Sequence, residues 1–335
     1  MTDQVQARGR HAAMWPLFVV VIMAIGISLL IGRYPAPGLS TPAALLGTET
    51  SRGIFLHLRL PRVLTAALLG ASLAASGCAF QMLFRNPLVE PGFLGVTQGA
   101  AFGAALAILV LPGVAGAVQL SAVVFATAGL FLSYGVARRV RFGGWVIRMV
   151  ISGIAVSALF ASGLGVLKYL ADPLSRLQEM TFWMLGGLSG TTWGTTLIVL
   201  PLVAPALLVL VLLRWRLSIL SLDDLTAHSI GTRPGRERLL LLVAASAATA
   251  GVTAVAGIIG WVGLLVPHVA RRHFGVEGSR ALPASLLLGA VMVVVCDTIA
   301  RSLMVYEIPL GIITSFLGAS LFLSLLSTGQ VRFKR

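Results

Sequence analysis

The chain has 335 residues, of which 57% are hydrophobic and only 11% charged, with a mean hydropathy of +0.96. Soluble domains carry roughly a quarter of charged residues, so this composition excludes a soluble globular protein and points to a polytopic membrane protein in a lipid bilayer. A net charge of +14 would suit a nucleic-acid binder, but the basic residues fall between apolar runs, which makes them topology signals and leaves no nucleic acid among the expected partners.

Arg8 and Arg10 precede the first apolar run, Trp15 to Ile31, in the charge order of a secretory signal. No small-x-small cleavage site follows, because Tyr34-Pro35-Ala36 puts a tyrosine in the wrong place, so a retained first helix is expected over 12–32. A hydrocarbon core about 30 Å thick takes roughly 20 apolar residues per helix, and uncharged windows can be counted as crossings. The second is 63–84. The two prolines in Arg85 to Gly92 then read as a tight cytoplasmic connection. Residues 91–137 carry no charge and are split by Pro112-Gly113 into two crossings, the first with Gly99 and Gly103 at the spacing of a close helix contact. The next crossing is 149–167. Beyond it, 180–192 is rich in glycine and aromatics and reads as interfacial, before a crossing at 193–213.

Residues 214–238 hold eight of the 36 charged side chains and belong in water. The uncharged run 239–270 is too long for one helix and too short for two, and Gly257, Gly260 and Gly263 suggest a full helix followed by a half-helix ending near Pro267. Crossings at 282–303 and 308–328 bring the total to ten. An even number puts both termini on one side, and eighteen of the 25 basic residues then share that side, which assigns it to the cytoplasm.

Enzyme chemistry has no foothold in this pattern. The two lysines, Lys168 and Lys334, follow Leu167 and Phe333, so there is no phosphate-binding Gly-Lys-Ser/Thr loop. His268 and His273 are five apart and unsuited to a zinc helix, and Cys78 and Cys296 lie inside apolar runs as small buried side chains. No catalytic residue, metal or cofactor is expected. None of the acidic residues falls mid-helix, so a pathway would be lined by Ser152, Ser157, Ser162 and Thr314, with energy supplied from elsewhere.

Two constellations remain. Arg59-Leu60-Pro61-Arg62 opens the second crossing and Arg301 closes the ninth on the same external side, forming either interface anchors or a basic ring that receives carboxylates of a soluble protein; Arg301 could also satisfy Asp297. In the polar segment, Ser221-x-x-Asp224 fits a capping box, Asp223 and Asp224 suit the positive end of a short helix, and Gly231 can end it. Leu222, Leu225 and Ile230 share a face that could dock in a partner's groove or rest on the membrane.

Six strings along residues 55–325 resemble a known family. They are Arg59-Leu60-Pro61-Arg62, then Arg85-Asn86-Pro87-Leu88 with Pro91-Gly92-Phe93-Leu94-Gly95, and Phe182-Trp183-Met184-Leu185-Gly186-Gly187-Leu188-Ser189-Gly190. Gly263-Leu264-Leu265-Val266-Pro267-His268, Asp297-Thr298-Ile299-Ala300-Arg301 and Glu307-Ile308-Pro309-Leu310-Gly311 complete them. The chain thereby resembles the FecCD-like permease subunits of binding-protein-dependent ABC importers for iron-siderophores, haem and cobalamin. The resemblance implies an all-α type II importer permease of about ten transmembrane helices including one half-helix, forming a single domain over 1–335 with a cytoplasmic coupling segment at 214–238. It also implies a bacterial inner-membrane location, a second permease copy as a homodimer, two cytoplasmic ATPase subunits and a periplasmic or external binding protein. By the same resemblance, Arg59, Arg62 and Arg301 meet acidic residues of the binding protein. The helix bearing Asp224, Ala227 and Gly231, with Ser221, Leu222, Asp223 and Leu225 around it, sits in a cleft of the ATPase, and Val146 and Ile147 lie at the cytoplasmic gate. Ile258, Trp261 and Ser320 stand where members often have Pro, Phe and Pro, and Leu225 lies near a frequent glutamate. The favoured cargo is a ferric siderophore, ahead of haem and cobalamin, and the alternative is a secondary carrier or channel without an ATPase.

Overall fold

In lipid an apolar segment satisfies its backbone N–H and C=O groups only by coiling on itself, so these runs become helices. A computed structural model describes residues 14–34, 37–222 and 224–327, without the side chains of Asp224, Leu225 and Leu325. The termini, and with them Arg8, Arg10, Arg332, Lys334 and Arg335, lie outside the described residues, as does Asp223.

Helix α1 (Trp15–Leu30) leads through a two-residue antiparallel pairing of Ile31–Gly32 with Gly38–Leu39 into the short helices α2 (Pro42–Leu46) and α3 (Glu49–Ile54). A π-helical turn at Phe55–Arg59 joins α3 to α4 (Leu60–Leu83) without a break. The remaining helices are α5 (Val96–Val110), α6 (Ala117–Arg139), α7 (Trp145–Leu170), α8 (Arg176–Leu185), α9 (Trp193–Leu212), α10 (Arg214–Leu220), α11 (Asp224–Ser229), α12 (Pro234–Ala256), α13 (Val262–Phe274), α14 (Gly278–Ser302) and α15 (Leu310–Ser327). Among the described residues six helical stretches are long and apolar enough to cross a membrane: 49–83, α6, α7, α9, α12 and α14. Trp15–Leu30, Val96–Val110 and Leu310–Ser324 are apolar but shorter.

Helix α4 is the hub, buried along almost its whole length and packed on α14, α12 and α13. Its run of Ala, Ser and Gly lets neighbouring backbones reach it. A Cβ on Gly70 would collide with the Gly289 carbonyl of α14, and one on Gly77 with the Gly263 carbonyl of α13. Gly99 and Gly103 do the same for α5 against α6, where the Ser121 hydroxyl donates to the Gly103 carbonyl at 2.7 Å, as their spacing suggests.

Three expectations are corrected. The half-helix does not stop near Pro267 but runs on to Phe274. Pro267 has no N–H to give the Gly263 carbonyl one turn back, and Gln81 of α4 supplies the missing donor: its Nε2 lies 3.3 Å from the Gly263 carbonyl and 3.0 Å from that of Leu264. The polar segment is not wholly in water, because its first third forms α10, whose Leu217 and Leu220 are fully buried in the main core. Finally, the chain between α4 and α5 is no surface turn. It folds back into the bundle, burying Val89, Pro91 and Leu94 and reaching the level of Leu73 and Gly263, near the middle of α4.

Candidate functional site

At one end of the bundle the structure brings Arg59, Arg62 and Arg301 together, and their partners are internal. Arg59 donates to the carbonyls of Leu29 (3.1 Å) and Tyr34 (2.6 Å), and Arg301 to those of Ser28 and Ile31 (2.8 Å), so two guanidiniums satisfy carbonyls at the end of α1 and in the chain just after it. Arg62 reaches two carboxylates: Nε and Nη2 lie 3.0 Å from Asp297 Oδ1, and Nη1 lies 2.7 Å from Glu307 Oε1. Asp297 also meets the Arg301 guanidinium at 3.4 Å. Asp297 is 1% exposed, Arg59 7% and Arg301 8%, whereas the Glu307 side chain is 43% exposed. Above them opens a cavity of about 420 Å³, bordered by Arg33, Arg59, Arg62 and Arg301 against a single lining carboxylate, Glu307. The mouth is positive; Arg59, Arg62 and Arg301 are already engaged, whereas Arg33 is exposed.

A second cavity, of about 370 Å³, lies between the re-entrant loop, α5, α7, α12 and the start of α13. Thr97, Gln98, Ser157, Thr249 and Thr253 give it a polar wall, and Glu90 is its one ionisable lining residue. Ser157 is the expected pathway residue that faces this space. Ser162 lies on the outer face of α7, while Ser152 (1% exposed) and Thr314 (0%) are enclosed by packing, the Thr314 hydroxyl donating to the Gly311 carbonyl at 3.2 Å. Val146 packs partly into the core. Ile147 is exposed and begins a stripe with Ile151 and Ile154 on α7 at the four- and three-residue spacing of one helix face.

At the opposite end, α10 and α11 stand between α9 and α12. Ser221 closes α10, its hydroxyl donating to the Ser218 carbonyl at 2.7 Å. Arg85 donates to the Leu222 carbonyl, tying the re-entrant loop to this segment. In α11 Ala227 is fully buried, and its carbonyl accepts the Thr232 hydroxyl at 2.6 Å. Gly231 takes φ +81 and its N–H returns to the His228 carbonyl, the left-handed end expected for this helix. Leu222 and Ile230 are exposed, and Arg216 pairs with Glu237 at 3.3 Å.

Sequence reasoning missed Glu90, Gln81 and Arg271. Gln81 and Arg271 form a polar knot inside the bundle, with Arg271 Nη2 2.5 Å from Gln81 Oε1. A lone glutamine in the otherwise uncharged window 63–84 was the available signal for it.

The FecCD transport family matches residues 19–328. An iron chelatin transport system permease of Helicobacter pylori is 37% identical over 313 residues, covering 92% of this chain and 94% of its own. The molybdate import permease of Haemophilus influenzae is 34% identical, covering 91% and 92%, and the hemin transport permease of Yersinia pestis 37%, covering 92% and 93%. A solved metal-chelate type ABC transporter in an inward-facing conformation superposes with a TM-score of 0.87 at 33% identity, over 94% of this chain and 98% of that one.

Proposed function

Because the chain belongs to the FecCD transport family, we propose that it is the membrane-spanning subunit of an ATP-driven importer that carries a ferric chelate into the cytoplasm. It is a single permease domain of ten crossings, α13 being the half-helix, set in a bacterial inner membrane with both termini in the cytoplasm. It pairs with a second copy of itself and two ATPase subunits and receives cargo from a soluble binding protein. The observation that carries this reading is α11: a short helix held by one buried alanine and a threonine clasp, with Leu222 and Ile230 turned outward, in a chain that has no nucleotide-binding loop of its own. Movement of the ATPase against α11 passes through the rigid α10, whose Ser218 hydroxyl accepts the Gly278 N–H at the start of α14 (2.8 Å). The helices then tilt and open the path alternately to each side, past Ile147 at the inner end.

Acidic residues of the binding protein meet the cavity around Arg33, Arg59, Arg62 and Arg301. Since Arg59 and Arg301 are occupied by backbone carbonyls, Arg62 and the exposed Arg33 remain, and Arg62 can trade the exposed Glu307 for an incoming carboxylate. Reconstituted with its ATPase and binding protein, the chain should import a ferric chelate only with ATP, and scrambling 221–231 should abolish uptake while the bundle stays folded. Undiminished uptake after scrambling would remove α11 from the mechanism. Uptake without ATP would favour a secondary carrier, the reading to which a carboxyl at the depth of Glu90 lends support.

A further inference from the structure

The buried Asp297 has cations beside it, Arg62 and Arg301. Glu90 does not. No basic residue lines its cavity, no ion pair of Glu90 occurs among the described residues, and its one backbone donor is the N–H of Trp261 at the start of α13. That donor, at the positive end of the 13-residue helix, engages only part of the carboxyl's acceptor capacity. The remainder faces a space of about 370 Å³, the size range of sites for small organic groups.

The position is built rather than incidental. The loop that delivers Glu90 is pinned on three sides: Pro91 lies against Gly263 of α13, the Phe93 carbonyl against Gly153 of α7, and Gly95 against Gly129 of α6. The wall of the same cavity is otherwise neutral, with Gln98, Thr97 and Thr253 and a buried Ser157 hydroxyl that meets no partner. An unpaired carboxylate in a low-dielectric wall is costly, and the cost is relieved when a cation enters.

We propose that Glu90 makes this cavity a binding subsite for a positively charged group, such as a substituted ammonium, carried on the cargo. The inference rests on the importer reading for its place in transport, and it gives the path a charge preference: cargo with a peripheral cation is drawn in, cargo with a peripheral carboxylate is repelled.

The test uses the purified full chain in detergent. A carbodiimide labels Glu90, the extent is read by mass spectrometry, and the probes are choline and its uncharged carbon isostere, dimethylbutanol. Choline should slow labelling severalfold while the isostere leaves it unchanged; equal rates with both would overturn the proposal. In parallel, choline should raise the unfolding midpoint of the wild type and not that of Glu90→Gln, a variant that keeps an acceptor for the Trp261 N–H but carries no charge. A choline shift of the same size in both proteins would likewise overturn it. Because neither readout involves ATP, a protein that binds choline at Glu90 but imports nothing would sink the importer reading alone.

Discussion

The two charged ends of this molecule are built on opposite plans. At the arginine-rich mouth, Arg62 and Arg301 converge on the buried Asp297 and tie α4 to α14, while Arg59 and Arg301 fasten the end of α1. At the α10–α11 end, charges contact their own segment, as Arg216 does Glu237, or single carbonyls, as Arg85 does that of Leu222. The first end uses charge to hold helices together; the second leaves Leu222 and Ile230 exposed on either side of a short helix. A basic residue in a gap between spans therefore identifies a boundary with water, but not whether its charge is available to a partner.

The sharpest way to break this contrast is to remove Asp297. Asp297→Ala leaves two guanidiniums facing each other without their shared carboxylate, and losing one member of a buried ion pair costs about 3–5 kcal/mol. A large drop in the unfolding midpoint in detergent is expected. A drop no larger than for a surface substitution would mean that the mouth is not a structural clamp.

The contrasting change at the other end is Gly231→Ala. No atom lies within 4 Å of where its Cβ would sit, so the whole cost is that of φ +81 for an L-residue, roughly 1–2 kcal/mol. That cost should fall on the geometry of α11: ATP-driven uptake should decline severalfold while the midpoint of the bundle barely moves. If midpoint and uptake fell in proportion, α11 would be part of the core and the two ends would be alike.

How much of this was legible from residues alone follows the same division. Long apolar helices were readable because lipid demands long uncharged stretches, six of them long enough to cross among the described residues, and the break after α12 announced itself in Gly257, which takes φ +69. The re-entrant loop was not readable, since two prolines look like a surface turn and the space it occupies is created by glycines on α6, α7 and α13 far away in the chain. The run past Pro267 was hidden for a related reason: the donor that repairs it comes from Gln81, over 180 residues earlier. Arg59, Arg62 and Arg301 were found as a group, but Arg59 and Arg301 donate to the backbone carbonyls of Leu29, Tyr34 and Ile31, which leave no trace in composition.

Within the mouth, Glu307 is the member that resembles the other end, being exposed and attached at one point. Glu307→Gln should cost only about 0–1 kcal/mol, as for other exposed pairs. It should also free one edge of Arg62, so association with an acidic binding protein should tighten severalfold and grow more sensitive to salt. Weaker association would show instead that Glu307 holds Arg62 in its receptive pose.

The smallest effect is expected where a charge is solvated and its contacts are purely local. Asp172 follows α7 and is fully exposed; the Ser175 hydroxyl, then the Leu174 N–H, hold its carboxyl below the usual carboxylate range. A depressed carboxyl contributes stability above its unfolded pKa and loses it as pH falls through the folded value. Ser175→Ala removes the first of those donors, so the variant should be slightly less stable than the wild type at neutral pH, with the gap closing as pH falls through the carboxylate range. Unfolding midpoints followed against pH for both proteins would show this, and a gap of constant size would mean that Ser175 acts on the start of α8 rather than through Asp172. Asp297, enclosed by Arg62 and Arg301, differs in kind, because its removal should be felt as a loss of helix packing at every pH where the bundle is folded.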